Sequence, residues 1–230
     1  MIPQISIGRK NKKALFFIAS FIVIWSLHAA TYRNNMEASF FSNLISNAQA
    51  QETNADKTQA DKMMAIRQTA KGFFAHMRFA DVPYNTNHLS FQDPQGKERK
   101  LAEFNGKPML INLWAIWCAP CRVEMPELAQ LKRDMGEKHF DVMAINVDKA
   151  ASPEKIQKFL NEVQADNLVY YRDSTMNILR EVRKQGLALG LPITLLIDKD
   201  GNLIASFNGA APWANDDAKA LIQAVIKEEQ

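Results

Sequence analysis

Only two cysteines occur in this 230-residue chain, and they stand together as Cys118-Ala119-Pro120-Cys121. Thiol-disulfide exchange needs an ionised thiol that attacks and a second thiol near enough to displace the mixed disulfide so formed. A C-x-x-C at the start of a helix provides both. The preceding run, Met109 to Trp114, is almost continuously apolar, as expected of a central strand covered on both faces. After the motif, helical spacing predicts Val123, Leu128 and Leu131 facing inward. Cys118 therefore falls at a strand-to-helix junction, where unsatisfied N–H groups and the helix dipole favour negative sulfur and lower its pKa below the free value of about 8.5. It takes the attacking role. Cys121, one turn further in and shielded, takes the resolving role. Pro120 lacks an N–H at a position that needs none, and with Ala119 it fixes the short loop on which the dithiol geometry depends.

The same spacing also occurs in zinc knuckles and passive disulfides. Zinc needs about four ligands, and the histidines, His28, His76, His88 and His139, are not spaced as a partner pair. A disulfide closing so short a loop adds little stability, because the entropic gain grows with loop length. The reading is a redox-active disulfide Cys118-Cys121, with no metal and no other cofactor. A formal net charge of +3, spread over mixed acidic and basic residues, sets nucleic acid aside as a partner.

The dithiol must be carried by the rest of the chain. A basic tail over residues 1–13, with Arg9, Lys10, Lys12 and Lys13, precedes a charge-free run at 14–32. A bilayer-spanning helix needs roughly 20 apolar residues and a cleavable signal core about 7 to 15, so the length favours a retained transmembrane anchor. The alternative is a long cleaved signal peptide, with Ala29 and Ala30 as small residues for a peptidase. In both cases the basic flank leaves the remainder outside the cytoplasm. Residues 33–83 read as a polar linker whose second half, Met63 to Phe79, carries apolar positions for a docking helix (Met64, Ile66, Phe73, Phe74, Met77).

From residue 84 to 230 strands and helices alternate. Asp93-Pro94-Gln95-Gly96 has the composition of a hairpin turn. Phe140 to Val147 reads as a second buried strand. Ser152 and Pro153 open a helix bearing Ile156, Phe159, Leu160 and Val163. Val169 to Tyr171 is a short strand, and Ser174 caps the next helix, with Ile178, Leu179 and Val182. A hairpin around Lys199-Asp200-Gly201-Asn202 and a final helix with Ala218, Leu221, Ile222, Val225 and Ile226 close the chain. The fold class is α/β, a sandwich of helices around a central mixed sheet.

The run LINLWAIWCAPCRVEMPEL, followed by Gly190-Leu191-Pro192-Ile193-Thr194, LLIDKDG and NGAAPWA, resembles the thioredoxin superfamily, most closely its TlpA/ResA type of membrane-tethered periplasmic proteins. The likeness spans roughly residues 85 to 230 and implies a thioredoxin-like fold with an additional strand and helix between Cys121 and Pro192. It implies that Trp117 lies over the active site. It also implies that Pro192 is cis and faces the cysteines, and that Leu191 and Pro192 offer backbone to an incoming peptide and keep metals off the dithiol. Asn112 stands where cytoplasmic thioredoxins carry a buried aspartate that assists proton transfer. Glu124 matches an acidic residue kept near the dithiol in ResA-like and cytochrome-maturation proteins, where it could tune thiol pKa values or relay a proton. A solvated helix residue near a favourable dipole is the equal alternative. Pro126 falls where relatives kink this helix.

The resemblance implies a thiol-disulfide oxidoreductase in the bacterial inner membrane with its catalytic domain in the periplasm. It would reduce disulfides of exported proteins, such as apocytochrome c or the copper-centre assembly proteins of respiratory oxidase, and be re-reduced by a membrane electron carrier of the DsbD or CcdA type. A disulfide-forming oxidase would use the same residues. A copper metallochaperone or non-enzymatic assembly factor is the alternative from another class. The metallochaperone would need wider cysteine spacing and a late histidine, and no histidine follows His139.

Overall fold

The computed structural model describes residues 57–136 and 138–229. The basic tail, the anchor segment 14–32 and the linker as far as residue 56 lie outside the described residues. Among the described residues no helix is long and apolar enough to cross a membrane. Residues from Ala60 onward form one compact unit.

Its centre is β4 (Met109–Trp114), whose six residues are all buried. Period-two alternation divides them between two cores. Leu110 and Trp114 join one apolar cluster, and Met109, Ile111 and Leu113 the other. On one side β4 pairs in parallel with β5 (Asp141–Asn146), which pairs in parallel with β6 (Tyr170–Arg172). On the other it pairs antiparallel with β7 (Ile193–Ile197), which returns through a tight turn as β8 (Leu203–Asn208). The edges are β1 (Arg78–Phe79) against β8, and the hairpin of β2 (Ser90–Gln92) and β3 (Glu98–Lys100) against β6. The sheet is therefore mixed, in the order β1-β8-β7-β4-β5-β6-β2-β3.

The helices are α1 (57–69), α2 (Ala119–Met135), α3 (Pro153–Glu162), α4 (Asn177–Lys184) and α5 (Asp216–Glu228). Side chains of α2, α3 and α5 share the core of Leu110 and Trp114, and those of α4 share the core of the opposite face. The strand and helix implied between Cys121 and Pro192 are present as β6 and α4. Turn chemistry follows the sequence at the first hairpin, where the Asp93 carboxylate accepts from the backbone N–H groups of Gln95 and Lys97 at 3.0 and 2.9 Å. Ser152 caps α3 with Pro153 in its first turn.

Three expectations change. Val123 is 70 % exposed, because its position lies across the helix from Leu128. The buried stripe of α2 is Cys121, Glu124, Met125, Leu128, Ala129 and Leu131. Ser174 does not cap α4. The Asp173 carboxylate does so, accepting from Thr175 N–H at 2.9 Å and Ile178 N–H at 2.8 Å. The stretch 63–79 is not one docking helix but α1, a 3-10 turn at Gly72–His76 and β1, separated where Gly72 takes φ +54°. Ile66, Phe74, Met77 and Phe79 are buried in the core, while Met64 and Phe73 are exposed. The folded unit thus begins ahead of residue 84.

Candidate active site

The chain leaves β4 at Trp114 and reaches α2 through a short turn in which Cys118 N–H donates to the Ala115 carbonyl at 3.2 Å. Cys118 is the N-cap of α2, with extended backbone, and its Sγ accepts from the Cys121 N–H at 3.2 Å. The two cysteines form a disulfide with an S–S distance of 2.02 Å. Pro120 occupies the first turn, where its missing N–H leaves no bond unmade. Cys121 is fully buried and Cys118 is 4 % exposed, whereas Trp117 is 68 % exposed immediately beside the pair. Ala119 and Pro120 are also exposed. When the disulfide opens, the N–H that Cys118 Sγ already accepts, together with the free end of a 17-residue helix, stabilises its thiolate.

The Leu191-Pro192 peptide bond is cis. Leu113 pairs with Ile193, so Leu191 and Pro192 lie at the same end of the sheet as Trp114 and the turn into Cys118. The Pro192 carbonyl accepts from Gly209 N–H at 2.9 Å, and Leu191 packs against the core cluster that contains both cysteines.

Glu124 is not a solvated residue. It sits one turn after Cys121 with 1 % exposure, on the buried stripe of α2. Its Oε1 accepts from the Trp213 indole Nε1–H at 2.6 Å and from the Ala211 N–H at 3.3 Å, and its Oε2 accepts from Asn112 Nδ2 at 2.9 Å. Burial raises its pKa from 4.5 to about 7, against the opposing effect of Trp213, Asn112 and Ala211, all of which donate. Asn112 thus donates to the acid from the middle of β4, and it also donates to Thr194 Oγ1, across from it on β7, at 2.9 Å. Its own Oδ1 is buried without a partner. A half-turn of that amide offers Glu124 an acceptor when it is protonated.

Sequence reasoning places Cys118, Cys121, Trp117, Ala119, Pro120, Glu124, Leu191 and Pro192 at this end of the sheet, and the structure brings them there. Trp213, Ala211 and Thr194 stand within the motifs that carry the resemblance, but sequence reasoning gives them no role. Spacing carries no signal for Trp213, which lies 89 positions from Glu124 in a loop of small residues. Glu124 did carry one, since 121, 124, 125, 128 and 131 follow the i, i+3, i+4, i+7 stripe of a buried face. Among the described residues no three His, Cys, Asp or Glu side chains gather as a metal site.

Residues 78–222 match the Redoxin family, well over half of the chain. The chain belongs to the Redoxin family. Among Redoxin relatives, thiol-disulfide oxidoreductase ResA of Bacillus cereus is 27 % identical over 143 residues, covering 60 % of this chain and 76 % of that protein. Thioredoxin-like protein YneN of Bacillus subtilis is 32 % identical over 118 residues, 49 % of this chain and 63 % of that one. A crystal structure of a DsbE-type thiol:disulfide interchange protein from Chlorobium tepidum has 26 % identity and a TM-score of 0.53, covering 64 % of this chain and 98 % of its own. A second thioredoxin-family structure from the same organism shares the fold at 23 % identity and a TM-score of 0.52. This Redoxin is a thiol-disulfide oxidoreductase with a thioredoxin-like fold.

Proposed function

We propose that this oxidoreductase is a membrane-tethered reductant of disulfides in exported proteins, of the kind needed for cytochrome c or oxidase copper-centre assembly, and that Cys118 attacks while Cys121 resolves. One observation carries the roles: a pair of sulfurs at a helix N-terminus, the first at its mouth and the second sealed in the core one turn from a buried acid. The Cys118 thiolate attacks one sulfur of the target disulfide, forming a mixed disulfide and releasing the other target sulfur as thiolate. Cys121 gives its proton to the Glu124 carboxylate and attacks Cys118 Sγ. The Cys118-Cys121 disulfide forms, the second target sulfur leaves, and the target is reduced by two electrons. A pKa near 7 lets Glu124 both take and return that proton at neutral pH.

Trp117 supplies an exposed apolar face beside the attacking sulfur. Leu191, whose backbone makes no hydrogen bond among the described residues, supplies a peptide edge for the target. Re-oxidised enzyme is returned to the dithiol by a membrane carrier of the DsbD or CcdA class. The tether is the apolar run 14–32, which places the catalytic unit in the periplasm.

Insulin reduction by the full chain tests the chemistry. Cys118→Ser lowers turnover to background, and equal turnover in variant and wild type refutes the mechanism. Cys121→Ser retains the first step and accumulates mixed disulfides, visible as thiol-sensitive adducts on a gel. Equilibration with glutathione decides direction: a potential near that of protein disulfide reductants, well below about −200 mV, fits a reductant, and a strongly oxidising one overturns it.

A further inference from the structure

The loop between β8 and α5 is tied to α2 at several points. Trp213 is fully buried and gives its indole N–H to Glu124 at 2.6 Å, while Ala214 N–H donates to Glu127 Oε2 at 3.1 Å. The indole is itself held by two rings, Phe74 from the 3-10 turn ahead of the sheet at 4.9 Å and Phe207 of β8 at 6.1 Å. Once the carboxyl is ionised, an indole donor at 2.6 Å makes a charge-assisted bond, roughly twice as strong as a neutral one. A phenylalanine would fill most of this space. Among the described residues the partner of the tryptophan nitrogen is the acid.

We propose that Trp213 is a positioning residue of the active site: its indole N–H, fixed by Phe74 and Phe207, aims the Glu124 carboxyl at Cys121 and favours the ionised form that accepts the Cys121 proton. The inference rests on the reading of Glu124 as that acceptor. The groups packed on Glu124 from other elements are neutral: Asn112 from β4, and the Ala211 N–H and Trp213 from the loop, with Thr194 of β7 one hydrogen bond beyond. At the N-cap and on α2 itself the titratable groups nearest Glu124 along the chain are Cys118 and Cys121 once reduced, Arg122, which pairs with Glu162, and Glu127, whose carboxylate accepts from Ala214 N–H, while Lys132, Arg133 and Asp134 lie two turns or more further on. Loss of the indole donor therefore acts on the acid directly. No neighbouring charge stands between the two.

Reduced full chain reacted with dithionitrobenzoate releases one thionitrobenzoate on attack by Cys118 and a second when Cys121 resolves the adduct, and the pH profile of the second release reads proton acceptance. Wild type should show an inflection near neutral pH that Glu124→Gln removes. Trp213→Phe should move that inflection up by about one pH unit, as the carboxylate loses a stabilising donor. In the double variant Trp213→Phe should change nothing further. An unshifted inflection in Trp213→Phe, or an equal effect in both backgrounds, overturns the role of Trp213. An inflection that survives Glu124→Gln overturns the reading of Glu124 instead. Should Trp213→Phe not fold, the nitrogen-15 indole resonance of Trp213 in the wild type should titrate with the same midpoint, and a flat resonance overturns the inference.

Discussion

Glu124 is the residue at which folding and chemistry conflict. A carboxyl on the buried stripe of a helix costs stability when charged, and three donors offset that cost only in part, which leaves its pKa at about 7 instead of 4.5. Between those two values the folded oxidised protein holds a proton that the unfolded chain has lost. The stability contributed by this proton is fully present below about pH 4.5 and is lost as pH rises through about 7. Taken over the whole window the loss is on the order of 3 kcal/mol. Glu124→Gln cannot ionise. Denaturant unfolding of the oxidised proteins at pH 4 and pH 8 should therefore show the variant gaining on the wild type by roughly that amount across the interval. A stability difference that stays constant with pH would show that Glu124 titrates no differently folded than unfolded. The same group that weakens the resting fold at alkaline pH is the proton acceptor proposed for Cys121.

At the scale of elements, the sequence is legible wherever one periodicity governs. The all-buried run Met109–Trp114, the capped α3 and the stripe Ala218, Leu221, Ile222, Val225 and Ile226 on α5 are each a local pattern with one physical outcome. The placement of the dithiol is legible for the same reason, since four adjacent residues at a strand-to-helix junction bring both sulfurs to the start of α2. What is not legible depends on partners remote in sequence. Val123 is as apolar as a core residue and yet faces solvent, and Trp213 meets Glu124 only after the sheet is assembled. Residues 63–79 mix spacings because they build three elements. Their hinge is Gly72 at φ +54°, whose missing Cβ leaves room for the Asp217 carboxylate at the start of α5. Gly72→Ala should cost about 1 kcal/mol or somewhat more from the left-handed backbone, with displacement of Asp217 in addition. Gly72→Asn should cost less, because asparagine tolerates that region better. Equal losses in the two variants, measured by denaturant midpoints, would point to crowding against Asp217 as the cause in place of backbone strain.

For the whole folded unit, the segment ahead of residue 84 belongs to the core that carries the site. Ile66, Phe74, Met77 and Phe79 are all buried, β1 covers the edge of β8, and Phe74 packs at a tilt against the indole that reaches Glu124. Complete burial of such a side chain stabilises by about 1.5–3 kcal/mol before the entropy of ordering its backbone is subtracted. A chain beginning at residue 84 would leave Phe207 and Trp213 without their cover and would open an unpaired edge along β8. A chain beginning at residue 57 keeps all of these contacts. The second is the reference for unfolding. The first should lose several kcal/mol, a large part of the roughly 5–15 kcal/mol typical of a domain, and should unfold at markedly lower denaturant. Its disulfide would also sit beside a less firmly held Glu124, so any folded fraction should show a displaced pH profile for resolution by Cys121. Equal unfolding midpoints for the two chains would mean that residues 57–83 only rest on the domain, and that the indole is held from the β8 side alone.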